Sequence, residues 1–197
     1  MNYAEIKQNL ISLGFGEEAD YTELEELGYT YDAINRAITQ IGTQFPYIET
    51  YEFEVDDTDE GYLYIDMTDI ADDFRGFAET PVLFEKDGKE FFTKFADYKV
   101  EMERTLVINC DDNKGSFRVY YEAQPTKITE TTVDGFTPEL PLKCHHLIPL
   151  LAAYYLWLDD DAAKATQYFN MYETELANVQ GKDNVIRMKV VTNWRGI

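Results

Sequence analysis

The stretch from Glu139 to Val179 constrains the fold of this chain more than any other. It reads E-L-P-L-K-C-H-H-L-I-P-L-L-A-A-Y-Y-L-W-L, then D-D-D-A-A-K-A-T-Q-Y-F-N-M-Y-E-T-E-L-A-N-V. Leu147, Leu150, Leu151, Tyr154, Tyr155 and Leu158 recur at spacings of three and four, and Ala152 and Ala153 permit close approach of a second helix. Asp159, Asp160 and Asp161 then interrupt the apolar run and supply a carboxylate for the start of the next helix. That helix places Ala165, Tyr168 or Phe169, Tyr172, Leu176 and Val179 on one face. The pattern predicts an αα-hairpin with a very short connection. At Pro149 the first helix either starts, with the proline in its first turn, or kinks; the start near Pro149, with a helical turn before it, is the favoured reading.

Upstream the period changes twice. Tyr3, Ile6, Leu10 and Leu13 predict a short amphipathic helix ended by Gly14 and Gly16, and Glu17–Glu26 reads as an acidic connector with some helical character. Tyr31, Ile34, Ile38, Ile41 and Phe45 mark a second helix, which Thr30 is placed to cap and Pro46 to stop. From there the period is two. Tyr51, Phe53 and Val55 alternate with glutamates, and Leu63 and Ile65 alternate with tyrosines. Arg75–Phe84 is extended, Asp87-Gly88 is a hairpin turn, and Thr105–Cys110 pairs with Ser116–Glu122 across D-D-N-K-G. Short strands with such frequent turns predict a small antiparallel sandwich or barrel. The expected class is therefore α+β: a helical bundle interrupted by an inserted antiparallel β subdomain. Its divisions are residues 1–48 (N-terminal helices), 49–138 (β subdomain), 139–180 (C-terminal helical hairpin) and 181–197 (an extended C-terminal arm).

The order of these features resembles the head–tail adaptor, or connector, proteins of tailed bacteriophages. Leu140-Pro141, His145-His146, Ala152-Ala153-Tyr154, Asp159 to Asp161, Ala162, Ala165, Tyr168 and Tyr172-Glu173 carry the resemblance at the end of the chain. Ala33-Ile34-Asn35-Arg36-Ala37-Ile38 carries it near the start. The resemblance implies a structural virion protein at the neck, between capsid and tail, made in the host cytoplasm. Its implied partners are the portal protein, a tail or neck protein and further copies of itself in a ring, typically of twelve. DNA would pass through the lumen without specific binding.

Charge limits the alternatives. The 197 residues carry 38 acidic and 17 basic side chains, a net charge of −21. Wrapping nucleic acid requires basic faces, which this chain lacks overall. Apolar residues make up 45% and aromatic residues 15%, so a core is affordable despite the acidity. In an adaptor ring, a negative wall would repel passing DNA, and Asp159, Asp160 and Asp161 are the candidate channel-lining residues, with Asp56 to Glu60 as the alternative.

No catalytic signature is present. G-x-S-x-G, P-loop, G-x-G-x-x-G and H-E-x-x-H motifs are all missing from the sequence. Asp56, Thr58, Glu60 and Gly61 parallel the start of a calcium loop, but Met67 stands where a bidentate glutamate is needed. Cys144-His145-His146 has no metal-ligand spacing. Neither an enzyme, a metal nor a cofactor is expected. The N-terminus carries no signal pattern, and the apolar run Leu147–Leu158 is too short to cross a bilayer, so no membrane partner is expected.

Gly181–Ile197 differs from the rest. Four basic residues against Asp183 give it +3, leaving −24 on the body of a chain whose total is −21. Val185, Arg187, Lys189 and Val191 alternate, and Trp194 and Arg195 follow. These six are the candidate partner-binding residues of an arm that docks on a neighbouring subunit or on the portal; the competing reading is a last strand of the chain's own β region. A β-rich binding module of a phage tail or host-recognition component is the alternative function, with the tyrosines and the Asp56–Glu60 loop as its recognition surface.

Overall fold

The computed structural model describes residues 1–14, 28–86 and 91–193, with the side chains of 86 and 182–193 outside the description. The chain is divided between two units: Met1–Phe45 joined by Pro125–Ile197, and the continuous segment Pro46–Gln124.

In the first unit, α1 (Tyr3–Ser12) begins at a capping box in which Asn2 and Glu5 exchange side-chain and backbone hydrogen bonds. Helix α2 spans Tyr29–Gln44 and buries Ile34, Ile38 and Ile41. Its cap is Gly28, at φ 77°, a left-handed conformation natural to glycine. Thr30 is therefore not the cap expected from the sequence. It lies inside the first turn, fully buried, and its hydroxyl has no hydrogen-bond partner among the described residues. The connector 17–26 lies outside the described residues.

A 3-10 turn at Leu142–Cys144 precedes α4 (Leu147–Trp157), and α5 runs over Ala162–Asn193. Leu147, Ile148 and Leu151 of α4 join Tyr172, Leu176 and Val179 of α5 in one core with the stripes of α1 and α2. Each such aliphatic side chain removed from water contributes about 1.5–3 kcal/mol. The extended arm expected from residue 181 is not the conformation adopted. The helix continues unbroken, so Val185, Arg187, Lys189 and Val191 stand on α5. Residues 179, 186 and 190 recur at spacings that also suit a helix, and this period prevails over the β-branched composition. Trp194 and Arg195 lie outside the described residues.

The second unit holds two antiparallel sheets. The strands are β1 (Tyr47–Val55), β2 (Tyr62–Asp66), β3 (Phe74–Lys86), β4 (Thr93–Lys94), β5 (Tyr98–Glu101), β6 (Thr105–Asn109) and β7 (Gly115–Ala123), with a one-turn helix α3 (Met67–Ile70) after β2. One sheet has the order β1-β7-β3-β4 and the other β2-β6-β5. Strand β7 alternates buried and half-buried residues along its whole length, and Phe117, Val119 and Tyr121 meet Ile65, Leu106 and Ile108 of the other sheet in a shared core. The register of β3 on β7 shifts between Phe77 and Val82, where Pro81 interrupts the ladder. The pairing expected across D-D-N-K-G does not form. Strands β6 and β7 belong to different sheets, and so do β1 and β2, so the loops 56–61 and 110–114 carry the chain from sheet to sheet. The turn at Asp87-Gly88 lies outside the described residues.

Candidate functional site

The connection between α4 and α5 separates the three aspartates by role. Asp161 caps α5: its carboxylate accepts hydrogen bonds from the Ala163 and Lys164 N–H groups at 3.0 and 3.1 Å. Such a cap is worth about 1 kcal/mol, and its charge suits the positive end of the helix. Asp159 and Asp160 are exposed and line a cavity of about 380 Å³ with Tyr29, Asp32, Arg36 and Tyr155. Behind it lies an aromatic stack. Tyr154 packs on Tyr155 and on Phe169 at ring distances of 5.1 Å each, and the Arg36 guanidinium sits 4.1 Å over the Tyr155 ring. The Tyr155 hydroxyl donates to Gln40 Oε1, and burial pushes its pKa above the ordinary phenol value. The exposed carboxylates thus stand beside half-buried aromatic rings.

The acidic loop at 56–61 is held from within. Asp56 accepts from the N–H and hydroxyl of Thr58 at 2.7 and 2.6 Å, which holds its carboxyl below the usual range. The Lys114 ammonium donates to the Asp56 carbonyl at 2.8 Å and also to that of Asp59. A lysine thus bridges two backbone carbonyls of the acidic loop. Among the described residues no group of three or more His, Cys, Asp or Glu side chains is placed to hold a metal ion.

The histidine pair is split between two local contacts. His145 is buried; its Nε2 lies 2.8 Å from the Leu140 carbonyl and its Nδ1 lies 3.0 Å from the Met1 α-amino group. A carbonyl only accepts, so Nε2 carries the proton and Nδ1 accepts from the ammonium. His146 lies 3.7 Å from Glu175 on α5. Cys110 and Cys144 are both buried, and burial raises the Cys110 thiol pKa.

Sequence reasoning missed Asn35. From α2 its amide donates to the Ile128 carbonyl and accepts from the Ile128 N–H, both at 2.8 Å. A side chain thus imitates a strand partner and fixes the segment that returns to the helices. The same segment caps α1, whose Tyr3 and Ala4 N–H groups donate to the Phe136 and Asp134 carbonyls at 2.7 and 3.1 Å. Asn35 sits in the Ala33–Ile38 motif already singled out, but a polar residue on the flank of an apolar stripe gives no sign of its distant partner.

Among the described residues, then, the molecule offers caps, aromatic stacks and acidic surface, and no helix long and apolar enough to cross a membrane. These features describe an α+β protein with an acidic surface. A family model described as SU10 adaptor protein matches residues 1–192, so this chain belongs to that family. It is accordingly a bacteriophage structural adaptor and a component of the virion. No curated protein matches it.

Proposed function

We propose that the chain is one copy of a ring at the virion neck, joining the portal protein to a tail or neck protein and leaving a channel through which DNA passes. The observation that carries this reading is the family match over residues 1–192. The charge of −21 supports it, because an acidic lumen repels DNA and keeps specific contacts from forming. Asp159 and Asp160, exposed beside α5, are the proposed channel-facing pair; Asp161 serves the helix.

The basic end of the chain is the proposed attachment element, through Val185, Arg187, Lys189, Val191, Trp194 and Arg195. Since α5 is helical to Asn193, the part of this element up to that residue docks as a helix, its charge steering it toward acidic surfaces. Mixing the purified protein with its portal and imaging the product tests the reading. Closed rings seated on portals are expected, and removal of residues 182–197 abolishes them. Bare portals at every salt concentration contradict the adaptor ring and favour the β-rich binding module.

A further inference from the structure

Edge strands expose unpaired N–H and C=O groups, and folded proteins commonly blunt them by keeping them short. Among the described strands, β5 and β2 follow that rule with four and five residues, while β4 covers only Leu83 and Phe84 of β3, whose remaining edge is broken by two register shifts and Pro81. The edge at β1 has no such protection. Strand β1 has nine residues and pairs with β7 in unbroken register from Tyr47↔Ala123 to Val55↔Gly115, with no bulge and no internal proline. No described strand lies on its other side. About every second backbone group along roughly 30 Å of strand therefore points away from the sheet.

The side chains match that edge to one kind of occupant. Ile48, Thr50, Glu52 and Glu54 are exposed on one face, and Tyr47, Glu49, Tyr51 and Phe53 on the other are only half-buried. Tyr51 stacks on Phe53 at 5.8 Å and Phe53 on Phe117 at 5.1 Å, an aromatic row that a further strand would cover. Glu49, Glu52 and Glu54 lead into Asp56 and Asp57, and Arg118 of the neighbouring β7 reaches Glu52 at 2.5 Å.

We propose that β1 is a docking edge for an extended, basic segment of another protein, which adds to the four-stranded sheet as a fifth strand. Backbone pairing would supply the affinity and the glutamates the preference for lysine and arginine. A second copy offering its own β1 would oppose the same glutamates. The chain's own basic segment up to Asn193 has its backbone committed to α5. This inference rests on the sheet and stands apart from the adaptor reading.

A fluorescent nine-residue peptide alternating lysine or arginine with valine or threonine is the probe. Fluorescence anisotropy and hydrogen exchange on the full chain should show binding, with protection concentrated at 47–55. Prolines at alternate positions of the peptide, or glutamates in place of its basic residues, should abolish binding. Thr50→Lys with Glu54→Lys should weaken it at least tenfold, circular dichroism verifying the fold; the peptide comparisons hold even if that variant misfolds. Equal binding of the proline-bearing peptide, or protection outside 47–55, overturns strand addition. Concentration-dependent protection of 47–55 in the protein alone gives the edge to a second copy and overturns the proposed occupant.

Discussion

The two units are built on opposite plans. The helical unit is assembled from both ends of the chain, and its core is mainly aliphatic, from Ile6 and Leu10 through Ile34, Ile38 and Ile41 to Leu147 and Leu151. The β unit is one continuous segment whose core centres on rings, with Phe117 at 5.1, 4.6 and 5.2 Å from Phe53, Phe84 and Phe95. The helical unit must close a long loop before its core can form, whereas the β unit needs only its own residues. A change in one core is expected to leave the other standing.

The largest effect should come from the helical core. Leu151 and Tyr172 are both fully buried, and each truncation to alanine costs about 3–5 kcal/mol. Leu151→Ala with Tyr172→Ala should abolish the helical signal in circular dichroism while residues 46–124 retain slow hydrogen exchange. Loss of protection in both units would mean that they form one cooperative block.

Phe117→Ala should do the converse. A cost of about 3–5 kcal/mol falls on the β unit alone, and amides of Tyr29–Gln44 should keep their exchange rates. Asn35→Ala should cost less, about 2 kcal/mol, because it orphans one donor and one acceptor at Ile128. Its effect belongs to the helical unit, and a chemical denaturation curve with unaltered midpoint would show that the returning segment is held without it.

The smallest effect should be set by pH. Asp66 accepts from Thr68 N–H and hydroxyl at 3.0 and 2.6 Å and faces Arg104 at 3.1 Å, so its carboxyl titrates below the usual range. A depressed folded-state pKa stabilises fully above about pH 4 and loses that contribution as the pH falls further. Asp66→Asn should thus lower the melting temperature slightly at neutral pH, with the difference fading in acid. A difference that grows in acid would contradict the assigned shift.

The helices were legible because their signal is local: Ile34, Ile38 and Ile41 repeat at a helical period that burial then uses. The alternation in β1 and β7 was legible for the same reason. Their partners were not. D-D-N-K-G marks a chain reversal, but it does not say whether the next strand returns beside the last or crosses to another sheet. The end of the chain misled because Val185, Val190 and Val191 favour strands by composition, while the backbone follows the helix begun at Ala162. That one of the three aspartates caps the next helix was readable, because capping is local; that it is Asp161 came from the hydrogen bonds to Ala163 and Lys164. The Asn35–Ile128 pairing spans the whole β unit and left no local trace.

Immunogold labelling of intact virions with an antibody against this chain tests the proposed role most directly. The account predicts label at the head–tail junction of each particle and nowhere else. Label on the capsid shell or the distal tail, with the junction bare, would contradict it.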